Sequence, residues 1–263
     1  MGKVDFDFKP SVPVFDANVS LGRRHDRRVS VDTAEGTLAA MKKAGVERAL
    51  VYSPQAVYWD PDEGNQILLD MVQGHPGLVP QLIASPFEDL DTFAAQVKET
   101  GVRSVRMLPT VYAFPFRDWA VKPWLDWMTA EQIPVWLPVS YQLRTGPNPR
   151  TGGSLDPTEI YDTLSAHPDL VAVLSDAVYT DLLWAIMLLK SVPNLYLEMS
   201  RFVSTDGLKV ALDAIGDERI LFGSSFPESS MPPQLYHVHR YGLSEASLRR
   251  ICSGNLDRIL GME

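Results

Sequence analysis

"DTAEGTLAAMKKAGVERALVYS", residues 32–53, writes a helix and a strand in a single line. Asp32 followed three residues later by Glu35 has capping-box spacing, and Gly45 stands where a helix stops. "ERALVYS" (47–53) then carries a continuous apolar centre, as strands covered on both faces do. Similar apolar runs occur at 12–18, 79–85, 102–108, 133–139, 170–175, 194–200 and 219–225, spaced by roughly 25 to 35 residues. Helical patterns lie between them, which predicts βα units around a parallel sheet. Eight such strands close a barrel. The expected fold is α/β, a (β/α)8 TIM barrel forming one domain over residues 1–263.

Further punctuation supports this. Asp60-Pro61 predicts a cap and a first-turn proline before "NQILLDMVQ", and "EDLDTFAAQVKETG" ends on Gly101. Pro123 in "DWAVKPWLDWMTAEQ" is read as a first-turn residue. "RTGPNPRTGGSLDP" (144–157) reads as a long loop after strand five, on the face where barrels build active sites.

Composition narrows the function. Hydrophobic residues make up 45% and charged residues 22%, ordinary for a globular domain. No apolar run reaches the length of a membrane span, and the N-terminus lacks an apolar signal region, so a cytoplasmic location without membrane association is expected. The net charge of −9 opposes nucleic-acid binding, and the single Cys252 rules out an intrachain disulfide framework.

Catalytic groups of a barrel sit where strands end. In "VFDANVSLG" (14–22), alternation predicts Asp16, Asn18 and Ser20 on one side. Other strand-end positions include Ser53, Gln55, Arg106, Tyr141, Asp176, Glu198, Ser200, Arg201, Ser225 and Glu228. Glu198 interrupts an apolar strand. It reads either as a general base or acid with a raised pKa, or as half of an ion pair with Arg106 or Arg201. Arg106 is suited to holding a substrate carboxylate, or to pairing with Glu198. "GRRHDRR" (22–28) places Arg23, Arg24 and His25 after strand one, a basic cluster on an acidic chain that points to a small anionic ligand. His237 and His239 in "PPQLYHVHRYG" read as a solvated helix face. His75 and His167 precede Pro at helix ends and read as structural or surface residues.

The segments "AGVERALVYSP", "GVRSVRMLP", "VPNLYLEMSRF", "RILFGSSFP" and "GLSEASLRRICSGNLDRILGM" resemble the amidohydrolase-related (amidohydrolase-2) family over nearly the whole chain. Members of that family typically hold a metal with two histidines after strand one, histidines at strands five and six, and an aspartate at strand eight. The matching positions here are Asn18, Ser20, Pro138, Asp176 and Ser225. The resemblance therefore implies a barrel whose metal ligands are replaced, with no cofactor.

Two functions follow. The first is a metal-independent hydrolase or lyase acting on a small carboxylated compound, a lactone or aromatic acid. Glu198, Asp176, Tyr141 and His25 would be catalytic; Arg106, Arg23, Arg24, Asn18, Ser20, Arg201 and Ser225 would bind substrate. The second is a catalytically inactive barrel that binds a ligand or protein partner. Self-association is common in the family and is expected as an option here.

Overall fold

The structure is a computed structural model that describes residues 8–24, 28–139, 154–201 and 206–263, with only the backbone of Tyr179. Its strands are β1 (Phe15–Ser20), β2 (Arg48–Tyr52), β3 in two halves (Leu78–Pro80 and Leu82–Ala84), β4 (Val105–Met107), β5 (Val135–Pro138), β6 (Ala172–Ser175), β7 (Leu195–Glu198) and β8 (Ile220–Leu221). Every neighbouring pair is parallel. The ring closes where Ala17 N–H donates to Phe222 O, Ser20 N–H to Phe226 O and Ser225 N–H to Asn18 O. All eight predicted strands are present, and helices separate them as expected.

Pro80 and Gln81 mark the joint of β3. Its first half pairs with β2 and its second with β4. β2 turns away at Ser53, whose hydroxyl caps the short helix Pro54–Tyr58. The backbone of Ile83 is served instead by a side chain: Asn65 Nδ2 donates to Ile83 O (2.8 Å) and Asn65 Oδ1 accepts from Ile83 N–H (2.9 Å).

Helix boundaries depart from expectation in two places. The cap of helix Ala34–Ala44 is Thr33, one residue beyond Asp32, because the threonine hydroxyl reaches Gly36 N–H. Pro123 lies inside helix Asp118–Ala130 rather than in its first turn. The N–H it lacks leaves the carbonyl of Trp119, a strongly exposed residue, without a helical partner.

The barrel interior is layered. Phe15, Ala17, Leu50, Trp136, Val173, Tyr196 and Leu221 form an apolar floor, closed below by Leu256 and Leu260. Tyr52, Ile83 and Leu108 pack with Ala56 and Val57 nearer the mouth. The polar residues described next lie between these layers.

Candidate active site

Strand β1 departs from simple alternation. Between Asp16↔Ala49 and Val19↔Val51, three steps of β1 span two steps of β2, so β1 contains a bulge. Ala17 belongs to the floor, yet Asn18, the next residue, also joins the interior. The expectation that Asp16, Asn18 and Ser20 share one side is corrected accordingly. The Asp16 carboxyl turns to backbone: its Oδ1 accepts from Asn18 N–H (3.1 Å) and Ser224 N–H (2.9 Å).

Asn18 is the hub. Its amide nitrogen donates to Glu198 Oε2 (2.9 Å) and Ser200 Oγ (3.0 Å), and more distantly to Asp176 Oδ1 (3.4 Å). Its carbonyl oxygen accepts from Arg106 Nη2 at 3.0 Å. Arg106 is wholly buried; its Nε donates to Gln81 (2.9 Å), its Nη1 reaches Asp176 (3.4 Å), and its plane lies 4.0 Å from the centre of the Tyr52 ring. The arginine thus faces the interior, and the carboxylate it pairs with is Asp176.

Glu198 is 0% exposed. Beyond Asn18, its carboxyl accepts from Ser200 N–H (2.5 Å) and Ser200 Oγ (2.9 Å). Burial, followed by the nearby charge of Asp176, pushes its pKa up to about 8. Burial also raises Asp16, to about 7, against the lowering effect of its hydrogen bonds. One carboxylate, Asp176, thus meets the guanidinium directly, while Glu198 joins the same network through Asn18.

Two residues that shape this centre adopt left-handed backbone unusual for their types: Asp176 (φ 55°) and Ser225 (φ 58°), at the ends of β6 and β8. Such strain, about 1–3 kcal/mol each, persists where the surroundings enforce it, often at functional sites.

The remaining candidates fall in different places. Ser20 is buried, and its hydroxyl has no partner among the described residues. Arg201 follows Ser200 at the mouth, is partly exposed, and has no hydrogen bond or ion pair among the described residues. Arg23 has an 89% exposed side chain and stands 4.0 Å from Asp32, so it faces solvent rather than the centre. Arg24 pairs with Glu228 and lies over the Tyr58 ring, tying the loops after β1, β8 and β2. Tyr141 and His25 lie outside the described residues.

The histidine pair is corrected: His237 is buried, and His239 is held by Leu235 O, the backbone N–H of Ser11 and the Phe8 ring. The face they occupy packs rather than meeting solvent. His167 is buried against Asp118.

Gln81, Tyr52 and Gly223 were not singled out from sequence. Gln81 interrupts an apolar strand as Glu198 does, so its signal was present. Gly223 ends a strand, where glycine marks close approach. A Cβ there would stand 2.7 Å from the Glu198 carboxyl carbon.

A family model described as amidohydrolase matches residues 15–262. No curated protein matches the sequence. Several solved structures share the fold at low identity. An uncharacterized TIM-barrel protein from Bordetella bronchiseptica is 18% identical with a TM-score of 0.73, covering 95% of this chain and 99% of its own. A dihydroxybenzoic acid decarboxylase from Polaromonas sp. JS666, with bound manganese and the inhibitor 2-nitroresorcinol, is 15% identical with a TM-score of 0.75, covering 95% and 97%. A putative 2-pyrone-4,6-dicarboxylic acid hydrolase from Pseudomonas putida is 15% identical with a TM-score of 0.69, covering 96% and 98%.

Proposed function

This chain belongs to the amidohydrolase family, and from that premise we propose that its buried polar centre is the active site of an enzyme working without a transition metal. The donor set supports this. A divalent transition metal needs about three imidazole, carboxylate or thiolate donors from protein. Asn18, Ser20, Pro138, Asp176 and Ser225 supply one carboxylate among them. Asn18 aims N–H groups at the carboxyls, and the positive charge beside Asp176 is the Arg106 guanidinium. These residues do not fit a transition metal.

The observation that carries the reading is Glu198, a buried carboxyl oriented by Asn18 and Ser200 whose pKa is pushed up to about 8 by burial and the charge of Asp176. A carboxyl in that condition is a general acid. The substrate class is a small carboxylated ring compound, an aromatic acid or a lactone acid, in keeping with the activities for which the Polaromonas and Pseudomonas proteins are named. In a decarboxylation, Glu198 protonates the ring carbon as carbon dioxide leaves. In a lactone hydrolysis, water adds to the carbonyl carbon and gives its proton to Asp176, and Glu198 protonates the ring oxygen as its bond to that carbon breaks. Arg201 takes the substrate carboxylate at the mouth, because Arg106 is already engaged by Gln81, Asp176 and Asn18.

A thermal-shift panel of benzoic and pyrone carboxylic acids tests this. At least one acid should raise the melting temperature, and Arg201→Ala should remove that shift. With a responsive compound, Glu198→Gln should retain binding and lose turnover, and the unaltered rate should fall as pH rises through about 8. If no acid shifts melting, the ligand class is wrong and the inactive partner-binding barrel replaces the enzyme reading.

A further inference from the structure

We propose that Asp16 and Gly223 are the positioning residues of this centre: one clamps β1 to the end of β8, the other leaves the gap in which Glu198 lies. The inference rests on reading Glu198 as the proton carrier. Asp16 is completely buried and touches no other side chain of the Arg106 network by hydrogen bond. Its two backbone bonds lie one on each side of the seam that closes the barrel, and the Ser224 side chain adds a further hydrogen bond on the β8 side. Asn18 N–H lies in the β1 bulge, so this bond holds the distortion that turns the Asn18 amide inward. Ser224 N–H lies between Gly223 and Ser225, so the second bond holds the turn that faces the Glu198 carboxyl.

The seam is pinned again when Asn18 O accepts from Ser225 N–H at 2.9 Å. Asn18 Cβ and the Glu198 carboxyl converge on Gly223: a Cβ there would stand 3.1 Å from the first and 2.7 Å from the carboxyl carbon. Both neighbours are packed and buried, so the carboxyl would have to move. The glycine serves as space for the acid rather than as a flexible joint. The Asp16 carboxyl needs only an acceptor oxygen for this clamp, and burial pushes its pKa up to about 7. Asparagine should therefore replace it, whereas alanine should not.

The test uses protein labelled with 13C at glutamate side-chain carboxyls, with the Glu198 resonance assigned by its loss in Glu198→Gln. No substrate is needed, so failure here is separable from failure of the substrate reading. Gly223→Ala and Asp16→Ala should each shift the Glu198 resonance while the melting transition stays cooperative. Asp16→Asn should restore its position. Should Asp16→Ala fail to fold, amide exchange in Asp16→Asn decides: protection of Asn18 and Ser224 N–H supports the clamp, and its loss refutes it. A Glu198 resonance unmoved by both alanine substitutions would overturn the proposal.

Discussion

Arg106 shows what a single buried residue contributes here. Its guanidinium is the cation that meets Asp176 in a network also holding Asn18 and Gln81. Removing one partner of a buried pair leaves an uncompensated charge, which typically costs about 3–5 kcal/mol. Arg106→Met should lower the urea-derived stability by that order. A loss below about 1 kcal/mol would mean that the pair is not the electrostatic anchor described. Residues of this kind were legible in the sequence: Glu198 because a charge in an apolar strand is costly and therefore conspicuous, Arg106 and Asp176 because they fall where strands end. Their partnerships were not legible. Asn18 reaches Glu198 only because one extra residue in β1 reverses its facing, and a bulge leaves no mark in an alternation count.

At the scale of elements, the strand-helix rhythm was readable from apolar runs and helix stops, and all eight strands are present. The division of β3 was not, because it depends on where β2 leaves the sheet. Asn65, in helix Pro61–Val72, fills that place with one donor and one acceptor for Ile83. A buried backbone group left unsatisfied costs roughly 1–3 kcal/mol, so losing two should cost about 2–6 kcal/mol. Asn65→Ala should therefore shift the denaturation midpoint sharply downward without changing the m-value. A shift within experimental error would show that the amide is not needed to complete the barrel wall.

For the whole molecule, Asp16 and Glu198 link stability to pH. Both have folded pKa values raised above the ordinary carboxyl range, to about 7 and about 8. Above the ordinary carboxyl pKa, near 4, the unfolded chain releases these protons while the folded chain keeps them. Stability therefore falls as pH rises from about 4 towards 8, and this contribution levels off beyond. Melting temperature should be higher at pH 5 than at pH 8.5, and the difference should shrink in Asp16→Asn and Glu198→Gln. An equal difference in both variants would mean that the net charge of −9, not these two groups, sets the slope. Among the described residues, no helix is long and apolar enough to cross a membrane.

In the proposed enzyme a guanidinium, an amide and buried carboxyls do the chemistry with no transition metal. Metal content measured together with chelator sensitivity tests it most directly. The purified protein, incubated with manganese or zinc and then dialysed, should retain no stoichiometric transition metal. Its acid-induced thermal shift and any turnover should be unchanged by chelator. One tightly held manganese or zinc per chain, removed by chelator together with ligand binding or turnover, would contradict the account.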